Sequence, residues 1–150
     1  MKKLIFTTLF ALLSSIVFSQ TYNITFSVPK WATQTMGKDW NLQFDKVPAN
    51  SPVKVVFDGK KLKVIAGEKT ISENNVSSVK KIDKKKVVYG AEVKTGEDYI
   101  LAVQKENFIE YHIIKKTFFE DNTHYYMLYS PFAIDGYVYS YDIFQSDVLK

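Results

Sequence analysis

The 150-residue chain is long enough for one domain but too short for a catalytic domain joined to a separate cofactor-binding domain. Its hydrophobic fraction of 46% and charged fraction of 24% are those of a folded globular protein and exclude an intrinsically disordered chain. The formal net charge of +4 arises from 20 cationic side chains that are all lysine. Because arginine is the usual residue for bidentate contacts to guanine and phosphate, this composition argues against nucleic-acid recognition.

The first 19 residues have the pattern of a secretory signal peptide. Lys2 and Lys3 precede an apolar run over residues 4–13, and residues 14–19 are smaller and more polar. A basic start, a short apolar centre and a small residue before the cut are typical of export signals. The sequence therefore predicts cleavage after Ser19 and a single domain over residues 20–150.

Export changes the composition of the mature chain. Without residues 1–19, 131 residues remain, with 18 lysines and 16 acidic residues. The chain has no cysteine, so it can form neither disulfides nor a lipid-modified cysteine anchor. We expect a periplasmic or extracellular protein that is not lipid-anchored, whose mature chain has no transmembrane segment.

In the first half of the mature chain, apolar and polar residues alternate with period two, which is typical of strands with one buried face. The alternation predicts strands over residues 22–28, 40–44, 53–57 and 62–66. Asp58-Gly59 between two alternating runs predicts a hairpin. Residues 30–38 lack clear alternation and suggest either a helical turn or a loop.

The second half continues the alternation, with turn residues between the runs. The predicted strands cover residues 87–93, 99–103, 109–113, 125–129 and 137–143, with odd-numbered residues on the apolar face. The turns are predicted at Thr95-Gly96, Glu106-Asn107, 120–122 and Asp135-Gly136. No window shows a sustained helical spacing.

These patterns predict an all-β fold, an antiparallel meander of about 8–10 short strands. Closure into a small barrel is the preferred architecture and a β-sandwich is the second choice, because both hide the sheet edges. The barrel resembles the lipocalins in architecture only. Gly37 and Trp40 are spaced G-x-x-W, whereas the lipocalin motif is G-x-W. A barrel of about eight strands can enclose one small ligand.

The sequence indicates neither a metal site nor a cofactor. Pairing of the strands around the predicted turn at residues 120–122 places His112 opposite Ser130 and His124 opposite Phe118. At roughly 3.3 Å per residue, the two imidazoles would lie about 20 Å apart, too far to share a metal ion. Phosphate-binding glycine-rich loops are absent from the sequence.

Neither a G-x-S-x-G motif nor a cysteine nucleophile occurs in the mature chain. The carboxylate pairs Glu97-Asp98 and Glu120-Asp121 fall at predicted turns, so we interpret them as solvated turn residues and not as a glycosidase pair. A serine–histidine–acid triad assembled from distant residues stays open. We expect no catalytic residues, and the chain is interpreted as non-enzymatic.

Charge is separated along the mature chain. Residues 46–94 hold 12 lysines and five acids, whereas residues 95–150 hold four lysines and nine acids. The densest cationic patch is predicted to form a turn that either contacts an anionic surface or serves as a solvated tip; it comprises Lys80, Lys81, Lys84, Lys85 and Lys86.

Aromatic residues concentrate at the other end, since residues 99–150 contain 13 of the 20 aromatic side chains of the mature chain. Tyrosines there could line a barrel, form a recognition surface or pack the core. The candidate ligand-binding residues are Tyr125, Tyr129, Tyr137, Tyr139 and Tyr141, of which the last three are predicted to share one face.

The favoured interpretation is an exported, non-enzymatic β-domain that binds a small apolar or amphipathic ligand or an envelope or surface partner. One alternative is a structural or interaction protein that acts through its charge-split surface. A second is a hydrolase of glycans or lipids, which requires paired carboxylates or a triad.

Overall fold

A computed structural model describes residues 21–37, 42–89 and 92–150, with the backbone alone for residues 85–89 and 92–94. The predicted signal peptide and Trp40 lie outside these residues. The strands are β1 (Ile24–Val28), β2 (Lys30–Thr35), β3 (Asp45–Lys46), β4 (Val53–Phe57), β5 (Lys61–Ala66), β6 (Lys69–Tyr89), β7 (Glu92–Gln104), β8 (Ile109–Phe118), β9 (His124–Ile134) and β10 (Tyr137–Gln145).

The ten strands form one antiparallel sheet in the order β1-β4-β5-β6-β7-β8-β9-β10-β2-β3, curled into a half-barrel. The first two strands connect the two ends of the curled sheet, because β1 pairs with β4 and β2 pairs with β10. Only Pro29 separates these strands, so one stretch of chain contacts both ends of the meander. Proline has no N–H to donate to a ladder, and its carbonyl accepts a hydrogen bond of 2.8 Å from the Val47 N–H.

The core fills the concave face of the curled sheet. Its buried side chains come from strands on opposite sides of the curl, which identifies this face as the interior. They are Ile24, Phe26, Val28, Val55, Phe57, Leu62, Val64, Tyr99, Leu101, Ile114 and Leu128. A chain without cysteine depends on this apolar burial for its stability.

The structure confirms the all-β class, the antiparallel meander and the strand number. Most predicted inward residues of β1, β4, β5 and β7 are buried, as in the Leu62/Val64 and Leu101/Val103 pairs, whereas Val53 and Ala66 are half-buried. The hairpin at Asp135-Gly136 is also confirmed, since both residues have positive φ and join Ile134 directly to Tyr137.

Two predicted turns are wrong. Lys80, Lys81 and Lys84 lie inside β6, which runs unbroken for 21 residues, and residues 85–86 continue the same strand. Gly96 lies inside β7, paired with Lys84 on one side and Thr117 on the other. Lysine-rich and glycine-containing segments were interpreted as turns, but cross-strand pairing with β7 and β8 keeps both segments extended.

The predicted inward faces of β8 and β9 are also wrong. The buried residues of β8, His112 and Ile114, and the core residue of β9, Leu128, are even-numbered, whereas Ile109 and Tyr111 are exposed. Both strands carry apolar residues on both faces, so alternation alone could not choose between them.

The segment after Pro29 differs from its prediction too. Residues 30–35 form β2 and not a helical turn or loop, because they pair with β10 far along the chain. Of the strand predicted over residues 40–44, Leu42 and Phe44 are not in a strand, and pairing begins only at Asp45.

Candidate functional site

A cavity of about 370 Å³ opens on the concave face of the half-barrel. Its walls come from both ends of the sheet order and from the segment before β4, so the curl of the sheet creates it. The described residues that line it are Trp31, Val47, Pro48, Ser51, Val53, Ile71, Asp142 and Phe144. A volume of this size falls in the range of small-molecule sites.

The apolar wall of the cavity continues the core. Successive cross-strand pairs run Tyr99, Ile114, Leu128, Phe144 and Trp31 across β7, β8, β9, β10 and β2. We call this set the apolar row. Ile114 and Leu128 are fully buried, whereas Trp31 at the end of the row is exposed, so the row ends at the cavity with an aromatic ring.

A second row lies on the same face, two residues along each strand from the apolar row, and it is polar. His112 on β8, Ser130 on β9, Asp142 on β10 and Thr33 on β2 follow one another across the sheet, and we call them the polar row. The Ser130 hydroxyl lies 3.1 Å from His112 Nδ1, and the Thr33 hydroxyl donates to Asp142 Oδ1 at 2.9 Å. The predicted placement of His112 opposite Ser130 is therefore confirmed, and so is that of His124 opposite Phe118.

His112 is buried, with 1% of its surface exposed, and both ring nitrogens have partners. Its Nε2 lies 2.7 Å from Glu110 Oε1, which accepts a hydrogen bond. The Nε2 proton therefore belongs to the bond with Glu110, and Nδ1 accepts from the Ser130 hydroxyl. Burial lowers the pKa of His112 below its ordinary value, although Glu110 acts in the opposite direction.

Glu110 also forms an ion pair with a lysine, Lys105. Lys105 Nζ lies 3.4 Å from Glu110 Oε1 and donates to Asn74 Oδ1 at 3.1 Å. Glu110 and Lys105 can therefore offset each other's charge, while His112 is held neutral at pH 7. In the described part of the chain, every buried side-chain nitrogen or oxygen has a hydrogen-bond partner.

The arrangement combines an apolar cavity with polar groups at one side. Val53, Ile71 and Phe144 offer apolar contacts, and Asp142 offers a carboxylate. Since Asp142 is also a member of the polar row, the cavity borders the hydrogen bonds that lead to His112. Such a site can hold a small molecule with one apolar part and one polar part.

The five predicted tyrosines are not brought together. Tyr125, Tyr129 and Tyr141 lie on the convex face, half-buried, with the rings of Tyr129 and Tyr141 edge to face at 6.4 Å. Tyr137 is 74% exposed beside the β9–β10 turn. None of the five is among the described residues that line the cavity.

The prediction that Tyr137, Tyr139 and Tyr141 share a face is wrong. A β-bulge lies between Val138 and Ser140, so Tyr137 pairs with Ile134 whereas Tyr141 pairs with Pro131. Because partners three residues apart point to opposite faces, Tyr137 and Tyr141 do so too. Tyr139, at the bulge, lies beside the exposed ring of Phe132, with the ring centroids 6.4 Å apart.

The lysine patch is partly neutralised by nearby acids, of which Glu97 and Asp98 belong to the acidic half of the chain. Lys81 Nζ lies 3.0 Å from Glu97 and 3.1 Å from Asp83, and Lys84 Nζ lies 2.7 Å from Asp98. Side chains of Lys85 and Lys86 lie outside the described residues. The β6–β7 pairing thus joins the two oppositely charged segments and reduces the cationic surface available to an anionic partner.

Sequence reasoning missed Trp31, Asp142 and Phe144 as site residues. They come together because β2 pairs with β10, more than 100 positions away along the chain. One signal was available: the predicted pairing of His112 with Ser130 already placed two polar residues on one face. That pairing was interpreted only as an argument against a metal site.

In residues 21–37, 42–89 and 92–150, no three His, Cys, Asp or Glu side chains are grouped closely enough to hold a metal ion. The same residues contain no helix with the length and hydrophobicity needed to cross a membrane. Neither a family model, nor a curated protein, nor a solved structure matches this chain.

Proposed function

We propose that this protein is an exported, non-enzymatic β-domain that binds a small amphipathic molecule in the concave cavity. The observation that carries the proposal is the cavity itself, about 370 Å³ in volume, with Trp31, Val53, Ile71 and Phe144 as apolar walls and Asp142 as a polar group. Burial of an apolar ligand part there would supply the binding energy, and the polar group would orient the ligand.

The opening of the cavity provides a variant that blocks it. Ile71 lines the cavity, is 52% exposed and lies at an irregularity in the β5–β6 pairing, so a larger side chain there need not disturb the core. Ile71→Trp is expected to weaken binding of the neutral fluorophore N-phenyl-1-naphthylamine by about tenfold or more, because the indole would occupy the space of the ligand. A fluorescence titration measures the dissociation constant.

The matched control is Ile109→Trp, which adds the same side chain at a residue that is 46% exposed on the convex face. It is expected to bind the fluorophore as the unmodified protein does. Equal binding by both variants would contradict the proposed site. Native mass spectrometry of protein purified from its own host adds a second measurement, and repeated recovery of the unliganded chain together with no fluorophore binding would overturn the proposal.

A hydrolase is the second candidate, favoured by the Ser130–His112–Glu110 hydrogen bonds. In such a reaction Ser130 Oγ would attack an ester carbonyl, its proton would pass to His112 Nδ1 and then to the leaving alcohol, and water would release the acyl group. It ranks second because Asp142 is the cross-strand neighbour of Ser130 and would place a carboxylate close to the developing oxyanion.

Covalent labelling separates the two candidates. A binding protein is expected to show no labelling by a fluorophosphonate probe, because catalysis is not its function. A hydrolase would be labelled at Ser130, and Ser130→Ala would lose the label. Labelling that depends on Ser130, detected by intact-mass spectrometry, would replace the binding proposal with the hydrolase.

A further inference from the structure

Asp142 is the one charged side chain among the eight described residues that line the cavity. The other members are aliphatic, aromatic, proline or serine. Among the described lining residues, a ligand that fills this space therefore meets a single formal charge, and that charge is negative. The head group of an amphipathic ligand should be complementary to it.

The carboxylate of Asp142 has capacity for a ligand. Thr33 donates one hydrogen bond to Oδ1, whereas an ionised carboxylate can accept about four. No described lysine forms an ion pair with Asp142, and Lys105, which lies near the polar row, contacts Glu110 and Asn74. The described residues thus supply Asp142 with a neutral donor but with no cation.

An aromatic ring lies beside this carboxylate. Phe144 pairs with Trp31 and Asp142 pairs with Thr33, so Trp31 is the diagonal neighbour of Asp142 on the same face of the sheet. Both side chains line the cavity, and the indole is exposed to it. An indole face attracts cations, and together with a carboxylate it forms a site for an ammonium group.

We propose that the ligand is a cationic amphiphile, a short apolar tail that carries an amine or ammonium head. The head lies between Asp142 and Trp31, and the tail contacts Val53, Ile71 and Phe144. This inference rests on the proposed binding function and adds the charge class of the ligand. Anionic amphiphiles such as fatty acids are disfavoured, because their carboxylate would lie beside Asp142.

Three ligands with the same tail test the inference: octylamine, 1-octanol and octanoate, each below its micelle concentration at pH 7.5. Displacement of N-phenyl-1-naphthylamine from the full chain measures their relative affinities. Octylamine is expected to displace the fluorophore at a concentration about tenfold lower than 1-octanol requires, with octanoate the weakest. Asp142→Asn is expected to remove the preference for the amine, while the affinity for 1-octanol stays within about twofold.

Two acids provide controls for the change in net charge. Asp147 lines a neighbouring cavity of about 300 Å³, and Asp135 lies in the exposed β9–β10 turn. Asp147→Asn and Asp135→Asn are expected to keep the amine preference. Loss of the preference in Asp147→Asn but not in Asp142→Asn would overturn the assignment to this cavity.

The outcomes distinguish the two proposals. If 1-octanol and octylamine displace the fluorophore equally, the cavity binds apolar tails and only the inference about the head group fails. If octanoate is the strongest ligand, the inference is reversed. If the fluorophore itself does not bind, the proposed function fails and the inference fails with it.

Discussion

Replacing Leu128 with alanine is expected to lower the free energy of unfolding by about 2–5 kcal/mol, the usual cost of removing a large buried aliphatic side chain. Leu128 is fully buried in the core and lies between Ile114 and Phe144 in the apolar row. Alanine at this position would leave an empty volume that neighbours on paired strands cannot fill, since their backbones are fixed by ladder hydrogen bonds. Urea unfolding measured by circular dichroism gives the change.

Ile134 provides the matched control on the same strand and the same side of the sheet. It is 50% exposed near the β9–β10 turn, so Ile134→Ala is expected to lower the free energy of unfolding by no more than about 1 kcal/mol. Similar losses in the two variants would contradict the placement of Leu128 in the core. If the dependence of the unfolding free energy on urea concentration changes in either variant, the substitution has altered the compactness of the unfolded or the native state.

Strands with a polar face were predictable from the sequence. In β1, the apolar residues Ile24, Phe26 and Val28 alternate with Thr25 and Ser27, and only one orientation buries the apolar set. β4 and β5 follow the same rule on either side of Asp58 and Gly59. Local pattern and tertiary environment agree in these strands, so the period of two was sufficient.

Strands with apolar residues on both faces were not predictable in this way. Ile113 and Ile114 are adjacent on β8, and Met127 and Leu128 are adjacent on β9, so either face could be the inner one. The structure buries the face that includes His112, because Glu110 and Ser130 satisfy its ring nitrogens. A polar residue inside a barrel is paired through contacts that no local pattern contains.

Charge runs were misinterpreted for a related reason. Lys80, Lys81 and Lys84 resemble a solvated turn when considered alone. On β7, however, Glu97 and Asp98 are diagonal neighbours of Lys81 and Lys84 and form ion pairs with them. The acids were themselves assigned to a turn, so neither half of the pairing was recognised. Cross-strand neutralisation lets a lysine-rich segment remain extended.

The candidate site depended on the least predictable contact of all. Pairing between β2 and β10 brings Trp31 beside Phe144 and Thr33 beside Asp142, across more than 100 positions of sequence. β2 itself has no alternation that marks it as a strand, and Pro29 obscures its continuity with β1. The sequence therefore predicted a barrel that could hold a ligand, but its five candidate tyrosines lie outside the described lining of the cavity.

His112→Ala is expected to lower the free energy of unfolding by about 2–4 kcal/mol at pH 7, because it leaves a cavity and removes hydrogen-bond partners from Ser130 and Glu110. His112→Gln is expected to cost less, since the amide can still make one of the two hydrogen bonds. Urea unfolding of the unmodified protein, His112→Ala and His112→Gln measures the order of their stabilities. Equal stability of His112→Ala and the unmodified chain would contradict a structural role for the buried imidazole.

The same histidine should make stability depend on pH. Burial lowers the pKa of His112 in the folded state, so as pH falls below about 6.5 the unfolded chain takes up this proton before the folded chain does. Protonation therefore favours unfolding, and the free energy of unfolding is expected to decrease between pH 7 and pH 5. The pKa of Asp58 is also low, because the Lys61 and Lys60 N–H groups donate to it, but that carboxylate titrates below this window. His112→Gln should flatten the decrease.

His124→Gln separates the contribution of the second histidine. Burial and then the charge of Lys116 lower the pKa of His124, so it acts in the same direction as His112. Because His124 is less buried, its removal is expected to flatten the pH dependence less than His112→Gln does. Unfolding curves at pH 7, 6 and 5 test this ranking. An unchanged pH dependence in His112→Gln would contradict the lowering of the His112 pKa by burial in the folded state.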